Sequence, residues 1–172
     1  MCGIVGLAFQ EGTGGVDPAR LSRAVAAIAH RGPDSQATRV GPTFAFGHTR
    51  LAIIDLAETG AQPMTSADGR YVIIYNGELY NYRELRKELI AQGVSLRGGS
   101  DTEVLLECFA LHGERIFERL NGIYALAIAD LRTGHVIVAR DPLGIKPVYV
   151  AEGPFGVAFA SEIKSLLEIA PI

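Results

Sequence analysis

Apolar positions along the chain fall into two kinds of run. Residues 3–9, GIVGLAF, and 71–77, YVIIYNG, are continuous apolar stretches rich in β-branched side chains, as expected of strands buried on both faces. The stretch EGTGG at 11–15 supplies the turn residues that close the first. TFAFGHT at 43–49 and RLAIIDL at 50–56 read as strands around Thr49-Arg50. GIYALAIADL, HVIVARD, PVYVAE and FGVAFAS give four more strands in succession. The other runs follow the helical period. In DPARLSRAVAAIAHRG, Leu21, Val25 and Ile28 share one face, Asp17 suits the N-cap and Pro18 the first helical position. HRGPD at 30–34 breaks that helix. NYRELRKELI stacks Leu85 on Leu89, with Asn81 and Glu84 spaced as a cap. SDTEVLLECFALHG repeats the capping spacing with Ser100 and Glu103, and Gly113 ends it. SEIKSLLEI reads as a last helix.

The order is strand, helix, strands, two helices, strands, helix. Strands clustered in hairpin-like runs predict antiparallel sheets within an α+β fold, not a βαβ winding. Too many strands are apolar on both faces to leave one face wet. Two sheets packed together and covered by helices would bury them. With no repeat, low-complexity segment or linker, residues 1–172 are expected to form one domain.

Composition removes several functions. Hydrophobic residues make up 48% and charged residues 20%, ordinary for a globular protein. The net charge is −3 and Lys and Arg do not cluster, which argues against a nucleic-acid partner. IYALAIA at 123–129 is among the longest apolar runs and is far too short for a membrane span. No signal peptide is visible at the N-terminus, and two cysteines make no disulfide framework, so a cytoplasmic location is expected. His30, His48, His112 and His135 show no metal-ligand spacing with the cysteines, so no metal is predicted.

The chemistry starts at Cys2. It could be a small core residue. It could also become the first residue of the mature chain, because an initiator methionine is normally removed when a small residue follows. Its thiol would then lie beside its own α-amine, whose pKa of about 7.7–8.0 suits a general base near neutral pH. An N-terminal nucleophile activated by its own amine is a known arrangement. Cys108, among Leu105, Leu106, Phe109 and Leu111, reads as core. A thiol attacking an amide needs an oxyanion site. Asn76-Gly77 offers a side-chain amide donor beside an open backbone N–H. The same pair favours a hairpin turn, but a helix follows it rather than a return strand. Arg50 could fork onto a carboxylate, or form a surface ion pair. Asp101 could receive an ammonium, or simply favour a helix first turn.

Taken together, MCGIVGLAF, HRGPDSQA, FGHTRLAIIDL, GAQPM, YNGELYNY, GSDTEVLLECF, LNGIYALAIAD, ARDPLGIKPVYV and FASEIKSLL resemble the class II glutamine amidotransferase domain. HRGPD and FASEIKSLL draw the resemblance toward glutamine-hydrolysing asparagine synthetases. It runs in order from Met1 to about Leu167. It implies a four-layer αββα N-terminal-nucleophile hydrolase sandwich. It also implies roles: Cys2 the nucleophile, Asn76 and Gly77 the oxyanion site, Arg50 the grip on the glutamine α-carboxylate, Asp101 on the α-ammonium, and Glu78 a further lining of the pocket. Arg31 and Asp34 of HRGPD would sit in a structured loop near the site, with no chemical step assigned. The glutaminase reaction implied needs no cofactor. In that family ATP and Mg serve a C-terminal synthetase domain with a Ser-Gly-Gly-x-Asp-Ser loop, and no such stretch occurs here. The expected partners are L-glutamine and either that domain or a separate ammonia acceptor, and a homodimer is compatible with the sequence. The rival readings are a hydrolase of the same kind on another amide and a catalytically silent regulatory domain.

Overall fold

The computed structural model describes residues 1–10, 12 and 15–170. Positions 11, 13 and 14 of the EGTGG stretch lie outside the described residues, as do 171 and 172. The strands are β1 (Gly3–Ala8), β2 (Ser35–Val40), β3 (Phe44–Arg50), β4 (Met64–Thr65), β5 (Tyr71–Leu79), β6 (Gly122–Asp130), β7 (Val136–Arg140), β8 (Tyr149–Gly153) and β9 (Gly156–Ala160). The helices are α1 (Pro18–Ala27), α2 (Tyr82–Ala91), α3 (Asp101–His112) and α4 (Ile163–Ile169). One sheet runs β2-β3-β1-β9-β8, the other β4-β5-β6-β7, and the strand pairings are antiparallel.

Three apolar layers hold four structural layers together, because side chains alternate across each strand. Ile4, Phe44, Phe46, Val72, Ile74 and Phe159 fill the space between the sheets. The opposite face of the first sheet, with Val5, Leu7 and Ala45, packs on Leu21, Val25 and Ile28 of α1 and its C-terminal end and on Leu166 and Ile169 of α4. The opposite face of the second, with Ile73, Tyr75, Leu126 and Ile128, packs on Leu85 and Leu89 of α2 and Val104, Leu105 and Phe109 of α3. This is the four-layer αββα arrangement that the resemblance implied.

Local signals hold at the starts of α1 and α3. Asp17 Oδ1 accepts the Ala19 N–H at 2.9 Å, and Ser100 Oγ accepts the Glu103 N–H at 3.1 Å. Asn81 is a correction. It precedes α2 but does not cap it. Its side chain instead bridges Arg119 O and the Asn121 N–H, fastening α2 to the segment before β6. RLAIIDL is another: only Arg50 is in a strand, and Ile53 and Ile54 are exposed in a loop. SQATRV supplies a strand that no apolar pattern announced, because β2 is an exposed edge. The Asn76-Gly77 pair lies inside β5, which continues to Leu79, so it is no hairpin turn.

Candidate active site

A cleft of about 180 Å³ opens where three chain segments end or run out of partners. Cys2, Arg50, Asn76, Gly77, Glu78 and Asp101 all line it. Register explains the first pairing. Gly3 lies opposite Thr49, so Cys2, one step before β1, comes beside Arg50 at the end of β3. β5 brings the next three. β4 pairs only with Val72 and Ile73, so the rest of that edge of β5 lacks a neighbouring strand. Successive N–H groups of a strand point to opposite edges. The Tyr75 N–H goes to Gln62 Oε1 at 2.6 Å and the Leu79 N–H to Asp101 Oδ2 at 3.0 Å. The Gly77 N–H, halfway between, points to the same open edge. A Cβ on Gly77 would lie 2.4 Å from Ile123 O, so only glycine fits this close to β6.

Asn76 is 1% exposed, and its Nδ2 is buried with no hydrogen-bond partner among the described residues. Leaving a buried donor unmade costs about 1–3 kcal/mol. An acceptor oxygen in the cleft, reached also by the Gly77 N–H, would relieve it.

The thiol is within hydrogen-bond reach of the loop after β3: the Leu51 N–H is 3.4 Å from Cys2 Sγ, and Leu51 O is 3.6 Å away. Burial pushes the thiol pKa up; the Leu51 hydrogen bond, the N-terminal charge and Arg50 pull it down, and Asp101 adds to the rise. Cys108 differs in kind. It is buried within α3 and pushed up to about 11 by desolvation, as suits a core residue.

Arg50 is 8% exposed, and its Nη2 donates to Asp55 O at 2.7 Å and Ala57 O at 2.8 Å. These bonds fix the guanidinium in the cleft through one nitrogen. Asp101 opens α3 and is 5% exposed. Its Oδ2 accepts from the Tyr75 hydroxyl at 3.1 Å as well as from Leu79. Burial raises its pKa against these hydrogen bonds.

The HRGPD loop is a clamp. Arg31 Nε donates to Cys2 O at 3.0 Å and its Nη1 to Glu162 Oε1 at 3.0 Å. Asp34 Oδ2 accepts the Ala52 N–H at 2.8 Å. Gly32 passes so near β3 that a Cβ there would lie 2.3 Å from the Thr49 carbonyl carbon. Sequence reasoning missed Glu162 as the anchor of Arg31, Tyr75 as a partner of Asp101, and Lys146, which lines the cleft with Nζ 2.8 Å from Met1 Sδ. Each depends on a contact between distant segments, and no local pattern signals it. Among the described residues, no group of three or more His, Cys, Asp or Glu side chains could hold a metal ion. No helix among them is long and apolar enough to cross a membrane.

A family model described as the glutamine amidotransferase domain matches residues 1–171. Among curated proteins, the chain is similar to asparagine synthetase [glutamine-hydrolyzing] 1 of Bacillus subtilis, 47% identical over 81% of this chain and 22% of that protein. It is 40% identical to asparagine synthetase [glutamine-hydrolyzing] 3 of the same organism, over 97% of this chain and 27% of that one. The chain thus spans about a quarter of the length of these relatives. Among solved structures, glutamine phosphoribosylpyrophosphate amidotransferase of B. subtilis, complexed with ADP and GMP, superposes with a TM-score of 0.77 at 24% identity, over 95% of this chain and 42% of that one. That likeness is one of fold.

Proposed function

The chain belongs to the glutamine amidotransferase domain family, and we propose that its cleft hydrolyses L-glutamine to glutamate and ammonia. The buried Asn76 Nδ2, unpartnered among the described residues and in the same cleft as the thiol, supports this most directly. With Met1 removed, the α-amine of Cys2 takes the thiol proton as sulfur attacks the side-chain amide carbon of glutamine. Asn76 Nδ2 and the Gly77 N–H receive the oxyanion of the tetrahedral intermediate. The protonated amine returns its proton to the departing nitrogen, and ammonia leaves. Water then adds to the γ-glutamyl thioester and releases glutamate. Arg50 meets the substrate α-carboxylate, Asp101 the α-ammonium, and Glu78 the adjoining wall.

This half-reaction uses no cofactor. By likeness to the longer relatives, residues 1–172 form a single glutaminase domain that supplies ammonia to an asparagine-forming synthetase domain or a separate partner. ATP and Mg would act there. The test is to supply glutamine without ATP to protein carrying a free Cys2 amine. Glutamate and ammonia should appear in equal amounts. Cys2→Ala, and protein that keeps Met1, should fold and release none. No ammonia from correctly processed, folded protein overturns the reading. Activity on other side-chain amides but not on glutamine moves the assignment to another substrate.

A further inference from the structure

Asp101 is held from two sides. The Asp101 and Thr102 N–H groups at the start of α3 bond its carboxylate, and β5 supplies two further donors. The Tyr75 hydroxyl donates to Oδ2 at 3.1 Å and the Leu79 N–H to the same oxygen at 3.0 Å. With both donors on Oδ2, Oδ1 is the oxygen outside these two bonds. Tyr75 is itself set firmly: its N–H goes to Gln62 Oε1, its carbonyl oxygen is 3.2 Å from His48 Nε2, and its ring packs in the layer between β5 and α3. It is 2% exposed, and like Asp101 it lines the cleft.

We propose that Tyr75 is a positioning residue for substrate selection, its hydroxyl holding the Asp101 side chain turned so that the cleft selects amides bearing a free α-ammonium. The inference rests on the glutaminase reading and deepens it. A carboxylate in this place faces a mixed field. Among the described residues, Cys2, Arg50, Asp55, Glu78 and Lys146 are the other charged or titratable side chains lining the cleft besides Tyr75. Burial favours the protonated acid, which binds an ammonium poorly; the Tyr75 hydroxyl opposes that shift by donating to the carboxylate. The tyrosine keeps its own proton, because burial and Asp101 push its pKa well up. It therefore acts as a donor throughout the working range.

Tyr75→Phe keeps the ring and removes only this donor. In the variant the KM for glutamine should rise about tenfold, the scale of one hydrogen bond to a charged group, with kcat changed less than about threefold. Hydrolysis of the α-deamino analogue of glutamine should not change, so the preference for glutamine over that analogue falls by the same factor. In an Asp101→Asn background the substitution should add nothing. A carbon-13 titration of the Asp101 carboxyl should show its midpoint rising in Tyr75→Phe. Equal loss on both substrates, or an unmoved Asp101 midpoint, overturns the proposal while glutaminase activity stands. If the parent chain releases no ammonia, the glutaminase reading is what fails, and the titration alone decides whether Tyr75 governs Asp101.

Discussion

Tyr71 to Ile74 and Tyr75 to Leu79 belong to one strand, β5, yet the two halves are finished differently. In the first half, β4 pairs with Val72 and Ile73 on one edge and β6 runs along the other. Its apolar side chains fill the layer between the sheets and the layer beneath the helices. In the second half β6 continues but β4 has ended. The open edge is satisfied by side chains: Gln62 takes the Tyr75 N–H and Asp101 the Leu79 N–H. The Gly77 N–H points to the same open edge, and Asn76 Nδ2 has no hydrogen-bond partner among the described residues. The proposed chemistry would sit where strand pairing runs out, on a strand whose other edge remains held by β6.

The contrast breaks most visibly at Asn76. Asn76→Ala removes a donor left unpaired among the described residues, so thermal stability should hold or rise slightly. Turnover should fall roughly 10²–10³-fold, about 3–4 kcal/mol of transition-state stabilisation, with KM nearly unchanged. An unchanged kcat would remove Asn76 from the oxyanion site.

Ile73→Ala tests the paired half. Ile73 is fully buried in the layer beneath α2 and α3. Its truncation should cost about 2–5 kcal/mol of stability, read from denaturant unfolding, and leave kcat per folded molecule intact. A kcat loss as large as that at Asn76 would mean that the halves are not separable.

The smallest effect concerns the junction. His48 on β3 lies within hydrogen-bond distance of Tyr75 O, and burial lowers its pKa from 6.5 to about 4. The unfolded chain therefore takes up a proton below pH 6.5 that the folded chain refuses until about 4. Stability should fall with pH across that window, by at most on the order of 3 kcal/mol, and level off below it with respect to this group. His48→Gln, which keeps a donor for Tyr75 O without titrating, should flatten the slope. An identical slope in the variant would assign the acid sensitivity to other groups.

The sequence by itself determined the elements whose stability is local or periodic. The run YVIIY marked β5 because each alternate face is apolar, and Asp17, Pro18 and Ser100 marked helix starts because a cap bonds N–H groups within two or three residues. The order of motifs also indicated Cys2, Arg50, Asn76, Gly77, Glu78 and Asp101, and all six line one cleft. Where a local pattern permits two uses, the sequence could not choose. Asn81 fits a cap but bridges Arg119 and Asn121, and the apolar RLAIIDL runs as a loop at the cleft mouth with Ile53 60% exposed. Only the tertiary structure decided that Tyr75 holds Asp101, that Arg31 joins Cys2 to Glu162, and that β4 stops short of Gly77. Arg31 and Glu162 are 131 residues apart, and their meeting is set by how α4 packs beside α1 on the first sheet. A hydrogen bond reaches about 3 Å. Whether two distant side chains come that close is therefore fixed by the packing of whole elements, which a local pattern does not record.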